Sequence, residues 1–373
     1  MRRILCLVGT RPEAIKLAPV VLALRAQPDV AVSVLGTGQH RELSRQVLAD
    51  FGLAMDADLD VMTADQSLAM LSSEIFRRLD TWLEREPHDM LLVQGDTTSV
   101  LVGALTGFYR GIAIGHVEAG LRTHDMHRPF PEELNRVVTS LVADIHFAPT
   151  AGARDNLLAQ GIAPAAVHVT GNTVIDALHL MAARRPEPSV AVDPNRPMLL
   201  VTMHRRENIG APIAAVCRAI RRLVAAHADL QVVLSVHPNP RVREPVLAAL
   251  SGVPQIVLLP PQGYPGAVAL MLRARLILTD SGGMQEEGPA LGKPVLVLRT
   301  ETERPEAVAA GTVRLVGTDE NQIFNEVSRL LDDPVAYTAM ARSISPYGDG
   351  QAATRIAHLC AQFLAAREEA TRL

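Results

Sequence analysis

Apolar runs of five to seven residues recur along the chain, separated by stretches in which apolar and polar positions alternate at helical spacing. The first half carries RILCLV (3–8), VAVSVLG (30–36), MLLVQ (90–94), IAIGHV (112–117) and DIHFAPT (144–150). The second half carries MLLVTM (198–203), QVVLSVH (231–237), IVLLP (256–260), RLILTD (275–280), PVLVLR (294–299) and VRLVG (313–317). Their length and β-branched content predict strands. Stretches such as APVVLALRAQ and AAVCRAIRRLVAAH predict amphipathic helices between them. Strands that are apolar throughout, alternating with helices, predict parallel sheets covered on both faces. RRPEPSVAVDPNRP (184–197) has four prolines and no apolar period, so it reads as a linker between two doubly wound α/β halves. The last helix, after SPYGDG (345–350), is expected to fold back onto the first half.

Length and composition agree with this division. A chain of 373 residues suggests two domains. Apolar content of 48% and charged content of 20% allow large cores and argue against global disorder. A net charge of −4 and 3% aromatic residues give no footprint for nucleic acid. Cys6, Cys217 and Cys360 are odd in number and far apart, which fits a reducing compartment. The start MRRILCLVG has an apolar stretch too short for a signal peptide, and no run approaches the ~18 residues of a spanning helix. The expectation is a soluble cytoplasmic protein with no membrane partner.

In doubly wound sheets ligands bind beyond the carboxyl ends of the strands. Gly9, Thr10 and Arg11 follow the first run, and Gly95, Asp96 and Thr97 follow the third. Glu118, His204, His237 and Ser281 stand at other run ends. Both halves thus place ionisable groups on strand ends, and a cleft between them is the expected site. Ser281, Gly282 and Gly283 open a helix with small residues, where free amides and the helix dipole favour a phosphate. A plain N-cap at Ser281 is the competing reading. Glu287 lies a turn further in, beyond capping reach, in a position to accept from a ribose diol. A diphosphate on the glycines and a ribose on Glu287 describe a nucleotide.

Thr10–Arg11–Pro12–Glu13 fits a capping box, so Glu13 reads as structural. Arg11 and Lys16 have no capping task and offer positive charge to a phosphate, unless they form a solvated face. In HVEAGLRTHDMHRPFPEELNR (116–136), Pro129 and Pro131 delay the helix until about Glu132. Glu132 and Glu133 there complement the helix dipole. With Asp96 and Glu118 at neighbouring strand ends, Glu132 makes a third carboxylate, and such clusters separate acid from base roles. His204, beside two arginines, is either a core histidine or a cleft residue. No HExxH or close-set ligand pair points to a metal, and no GxGxxG points to a nicotinamide cofactor.

GTRPEAIKLAP, TGQHRE, QGDTTS, GHVEAGLRT, PFPEELNR, FAPT, VTGNTVIDAL, HRRENIG, VHPNP, LTDSGGMQEEGPALGKPVLVLR and TERPEAV together resemble the non-hydrolysing UDP-N-acetylglucosamine 2-epimerases. The resemblance runs from about residue 4 to SPYGDG. It implies a GT-B-like fold of two Rossmann-like domains, 1–175 with catalytic carboxylates and 176–350 for UDP, with helix 351–373 returning to the first. It implies an active site in the interdomain cleft and a homodimer. It also implies reversible conversion of UDP-GlcNAc to UDP-ManNAc through UDP and a 2-acetamidoglucal, without metal or cofactor. By the same resemblance Asp96, Glu118 and Glu132 handle protons and His204 lies near the leaving diphosphate. Arg11, Lys16 and Arg136 bind substrate, Ser281, Gly282 and Gly283 bind phosphate, and Glu287 binds ribose. Which carboxylate serves which face stays open.

Gln39, Gln66, Glu133, Arg206 and His237 match a second, regulatory nucleotide-sugar site. Glu42 and Asp65 replace Gln and Arg of some relatives there, and Ala267 replaces an aromatic residue near the base. A GT-B glycosyltransferase using a UDP-sugar, a 2-epimerase for a modified UDP-N-acetylhexosamine and a non-catalytic sensor are the alternatives. GTRPE and PFPEE favour the plain N-acetylhexosamine.

Overall fold

The computed structural model describes residues 1–39, 41–63, 65–205, 208–302, 304–342 and 345–372, with backbone alone at 371 and 372. The chain forms two compact units, Met1–Leu180 with Tyr347–Leu373, and Met181–Pro346. The first holds seven strands: β1 (Arg2–Val8), β2 (Val30–Gly36), β3 (Ala57–Asp58), β4 (Met90–Gln94), β5 (Ala113–Val117), β6 (Ile145–Ala148) and β7 (Val167–Val169). They pair in parallel in the order β3-β2-β1-β4-β5-β6-β7. The second holds β8 (Met198–Met203), β9 (Gln231–Val236), β10 (Ile256–Leu259), β11 (Leu276–Thr279), β12 (Val295–Val297) and β13 (Val313–Leu315). Their order is β10-β9-β8-β11-β12-β13, again all parallel.

The apolar runs become central strands because both faces are covered. Every residue of β4 and β5 is buried, and Cys6 of β1 sits between Val34 and Leu92 of its two neighbours. Two edge strands, β3 and β7, have no counterpart among the apolar runs. β3 pairs only through Ala57 and Asp58, and β7 is the three residues VHV, so neither is long enough to show a pattern.

The strand order fixes where a ligand can reach. In each sheet the winding reverses at one place, between β1 and β4 in the first and between β8 and β11 in the second. The loops at those reversals are Gly9–Arg11 with Gly95–Thr97, and His204–Arg205 with Asp280–Ser281. Loops splay apart at such points and leave a crevice.

The last helix, Ala352–Arg372, belongs to the first unit. Ala353, Ile356, Ala357, Cys360 and Leu364 are buried at helical spacing. Its start is capped from a distance: the Asp176 carboxylate accepts from the amides of Ala352 (3.2 Å) and Ala353 (2.8 Å). Among the described residues no helix is long and apolar enough to cross a membrane.

Candidate functional site

In the first unit, Glu118 directly follows β5 with φ +63°, a conformation uncommon outside glycine and one that tends to mark functional positions. Its side chain is 9% exposed. The Lys16 Nζ donates to its Oε2 at 2.5 Å, and Asn172 Nδ2 donates to the same oxygen at 2.7 Å. Lys16 comes from the helix Arg11–Arg25 and Asn172 from the turn after β7, so three segments converge on one carboxylate.

Asp96 follows β4. Its main-chain carbonyl accepts from Asn135 Nδ2 at 2.8 Å, and its Oδ2 lies 3.6 Å from Arg136 Nη1. Burial pushes its acid up to about 6. The positive charges of Arg136 and Lys16 oppose the shift, whereas Glu118 and Glu132 add to it. Glu132 opens the helix Glu132–Val142, where the two prolines were expected to delay it. Its Oε2 is buried with no hydrogen-bond partner, an acceptor held ready inside the cluster. Asp96, Glu118, Glu132, Lys16 and Arg136 therefore form one electrostatic cluster at the first switch point. Arg11 stands half-buried at the start of its helix.

The capping box expected at Thr10–Glu13 does not form. The Thr10 side chain accepts no helix amide. Its hydroxyl instead donates to Glu13 Oε1 at 2.9 Å, while Glu13 Oε2 accepts from the Gly9 amide at 2.7 Å. Gly9 is required here, because a Cβ would lie 2.5 Å from Ser99 Oγ and 3.1 Å from Glu13 Oε2.

In the second unit, Ser281 occupies the N-cap of the helix Gly282–Ala290, yet its side chain caps no amide. The first-turn amides have no partner within the helix and face outward with the positive end of its dipole. A Cβ at Gly282 would lie 2.7 Å from Arg304 Nη1, so the guanidinium sits directly over the helix start. Arg304 is anchored there by a short ion pair with the buried Glu286. Glu287, 8% exposed, turns one oxygen toward Gly283 and accepts from the Tyr264 hydroxyl at 2.9 Å with the other. A helix start with small residues, a guanidinium over it and a carboxylate beside it suits a nucleoside diphosphate.

His204 follows β8 and is 45% exposed. Its Nδ1 lies 3.0 Å from Oδ1 of Asp280, which is fully buried. Asp280 also accepts from the amides of His204 and Arg205 and from Asn208 Nδ2. Burial raises its acid, but these bonds outweigh burial and hold it below the ordinary carboxylate value. With Nδ1 held by Asp280, the other ring nitrogen of His204 is the one left for chemistry.

Of the residues expected at a regulatory site, Gln39 follows β2 and accepts from Ser99 Oγ at 3.1 Å. Gln66 donates to the Val61 carbonyl at 3.2 Å. Glu133 is 1% exposed; it accepts from the amides of Thr123 and His124 and lies 2.9 Å from Arg136 Nε. His237 follows β9, with Nδ1 accepting from the Asn239 amide at 3.2 Å. Arg206 lies outside the described residues. Among the described residues no three His, Cys, Asp or Glu side chains are grouped to hold a metal.

Sequence reasoning missed Asp280, Asn172, Tyr264 and Arg304. Arg304 stands in TERPEAV and Asp280 directly precedes SGG, so both lay within noticed motifs. Asn172 also lies within a noticed motif, VTGNTVIDAL, whereas nothing local marks Tyr264.

Two doubly wound parallel sheets, one with a carboxylate cluster at its switch point and one with a glycine-opened helix start under a guanidinium, define an α/β protein of two Rossmann-like halves. The family model described as UDP-N-acetylglucosamine 2-epimerase matches residues 22–361. The UDP-N-acetylglucosamine 2-epimerase of Escherichia coli (strain K12) is 49% identical over 364 residues, covering 95% of this chain and 97% of the relative. The crystal structure of the UDP-GlcNAc 2-epimerase of Neisseria meningitidis bound to UDP-GlcNAc matches with a TM-score of 0.89 at 42% identity, over 96% of this chain and all (100%) of that one. The Methanocaldococcus jannaschii UDP-GlcNAc 2-epimerase in complex with UDP-GlcNAc and UDP matches with a TM-score of 0.80 at 30% identity, over 96% and 99%. The chain belongs to the UDP-N-acetylglucosamine 2-epimerase family.

Proposed function

We propose that the protein interconverts UDP-GlcNAc and UDP-ManNAc by eliminating and re-adding UDP. The observation that carries the reading is the Asp96–Glu118–Glu132 cluster, in which one acid is poised at about 6 and another is ion-paired with Lys16. C2–H is not acidic in the ground state. As the C1–O bond to UDP lengthens, positive charge at C1 acidifies it. A carboxylate then takes the C2 proton, the C1–O electron pair leaves with UDP, and a 2-acetamidoglucal remains. A proton delivered to the opposite face of C2 and return of the diphosphate oxygen to C1 complete the change. Two faces call for two proton-handling groups, which a cluster of three acids can supply.

The nucleotide end is assigned to Ser281, Gly282, Gly283 and Arg304 for the diphosphate and to Glu287 for the ribose. His204, oriented by Asp280, is assigned to the leaving diphosphate. Relatives with UDP-GlcNAc and UDP bound support these ligands. Gln39, Gln66, Glu133, Arg206 and His237 are read as parts of a regulatory nucleotide-sugar site. The exposed acids Glu42 and Asp65 weaken that site, so the initial-rate curve with UDP-GlcNAc should be nearly hyperbolic; a steep sigmoid would contradict this.

The test of the function is incubation of UDP-GlcNAc in deuterated water with no acceptor. UDP-ManNAc carrying solvent deuterium at C2 is expected. Transfer or hydrolysis products in place of the epimer would favour a glycosyltransferase, and an unchanged substrate would favour a sensor.

A further inference from the structure

Resting on the epimerase reading, we propose that Asn172 is a positioning residue for Glu118, and that the returning chain at Tyr347–Gly348 holds Asn172 in place. Two motifs of the sequence, VTGNTVIDAL and SPYGDG, thereby reach the reaction through one carboxylate. Asn172 is 3% exposed, and its Nδ2 donates to Glu118 Oε2 at 2.7 Å. Lys16 Nζ donates to the same oxygen at 2.5 Å. Two donors on one oxygen leave the carboxylate little freedom to turn. Its other oxygen faces the loop bearing Asp96, since a Cβ built on Gly95 would lie 3.9 Å from Oε1. Lysine brings charge on a flexible stem, whereas the amide is short and directional, so the aim of Glu118 is assigned to Asn172.

Asn172 is itself held from two sides. Its Oδ1 accepts from the Val174 amide at 3.1 Å, which turns its NH₂ toward Glu118. Its main-chain N–H donates to the Tyr347 carbonyl at 2.6 Å. Tyr347 stands in SPYGDG, where the chain rejoins the first unit. The two backbones approach closely because glycines face each other there. Gly171 has φ +92°, and a Cβ on it would lie 3.2 Å from Gly348 Cα and 3.4 Å from the Tyr347 carbonyl oxygen. Further along, Arg355 Nη1 donates to the Thr170 carbonyl at 3.0 Å and to Asp349 Oδ1 at 2.8 Å, and the Asp176 carboxylate accepts from the amides of Ala352 and Ala353. Residues 347–355 thus clasp the turn 170–176 at several points. β7, which leads into that turn, is an edge strand of three residues, so the clasp supplies rigidity that the sheet does not.

The test compares Asn172→Ala, Asn172→Asp and Gly171→Ala with the unmodified enzyme. Asn172→Ala removes the donor and should lose about 10²-fold in kcat, with KM and UDP affinity within about threefold of the original. A readout independent of turnover is the carbon-13 carboxyl titration of Glu118, assigned by its absence in Glu118→Gln. Its midpoint should rise by about one unit in Asn172→Ala, because a donor to the ionised form is lost. Asn172→Asp keeps the shape and the acceptor for the Val174 amide but sets a second carboxylate against Glu118, so the midpoint should rise at least as far. Lys16 and Asp96, which also face Glu118, are the same in every variant. Gly171→Ala leaves the Asn172 side chain intact and should lose about 10-fold in kcat. Added to Asn172→Ala it should cost little more, because both act through one contact. An unmoved Glu118 midpoint or an unchanged kcat in the Asn172 variants would overturn the positioning role, and additive losses in the double variant would overturn the hold by the returning chain. Should Asn172→Ala fail to fold, the isosteric Asn172→Asp decides. Should the unmodified protein fail to epimerise, the functional reading fails, and the Glu118 midpoint still decides the contact by itself.

Discussion

His204 and Asp280 form a histidine–carboxylate pair, with Nδ1 and Oδ1 3.0 Å apart and the acid wholly buried. The pair places one exposed ring nitrogen at the switch point of the second sheet and fixes how the ring is turned. Asp280→Asn keeps the volume but loses the charge that accepts four donors. It should reduce kcat by about 10–100-fold, as loss of an orienting partner does elsewhere, and cost about 2 kcal/mol of stability. The native acid lies below its ordinary 3.8, so its stabilising contribution is present above that value and is lost as pH falls through the lower native one. Thermal unfolding from pH 7 down to pH 2 should therefore converge for the two proteins at the acid end. Unchanged kcat in Asp280→Asn would mean that His204 needs no orienting partner.

Asp96 is expected to trade stability for chemistry. Its native acid, at about 6, lies above the ordinary 3.8. Protonated Asp96 therefore favours the folded state fully below 3.8, and that contribution is lost as pH rises through about 6. At pH 8 the folded protein holds a buried charge that the unfolded chain holds in water. Asp96→Asn should lose about 10²–10⁴ in rate and yet melt higher than the unmodified protein at pH 8. The gain should shrink toward pH 4. A variant that is less stable at every pH would place Asp96 in a purely structural role.

The parts of this site that were legible in the sequence are those whose partners are close along the chain or whose pattern is local. MLLVQ and MLLVTM read as buried strands because nothing polar interrupts them, and SGG reads as a helix start because glycines cluster there. β3 and β7 escaped because an edge strand of two or three residues shows no period. Asp280 looked like the end of a strand, and its bond to the His204 amide spans 76 residues. Asn172 lay within VTGNTVIDAL, but its bond to Glu118 spans 54 residues and no local pattern shows it. Glu13 was misread for the opposite reason. Its local pattern was a good capping box, yet its carboxylate serves the Gly9 amide, one residue before the cap, and the Thr10 hydroxyl.

Tyr264 and Glu287 supply a graded test of the ribose assignment. The tyrosine hydroxyl is buried and donates to Glu287 Oε1 at 2.9 Å. Tyr264→Phe removes one hydrogen bond to a charged acceptor and should weaken UDP binding about 10-fold by calorimetry, the equivalent of about 1.4 kcal/mol. Glu287→Ala should weaken it further, because the group that meets the diol is itself gone. Both variants should bind inorganic diphosphate as the unmodified protein does, since the amides of Gly282 and Gly283 and the Arg304 guanidinium are untouched. Parallel loss of diphosphate binding would show that Glu287 shapes the helix start and does not read the ribose.

The last expectation concerns a second copy of the chain. The helices Thr98–Tyr109 and Glu132–Val142 each follow one of two adjacent parallel strands, so they run in the same direction and end at the same edge of the sheet. Their last turns expose Phe108 (56%), Tyr109 (73%) and Leu141 (64%), while Phe76 stacks on Tyr109 at 6.3 Å. Large apolar side chains gathered at one edge are costly to leave in water, at about 25 cal/mol per Å², and a symmetric pairing of the same patch would cover them. Sedimentation should give twice the 40.2 kDa mass of one chain. Phe108→Glu with Leu141→Glu puts charges into that edge without touching the core, since both positions face solvent in the single chain. The double variant should sediment as one chain with its UDP affinity retained. A single-chain mass for the unmodified protein at micromolar concentration would show that this edge meets no second copy.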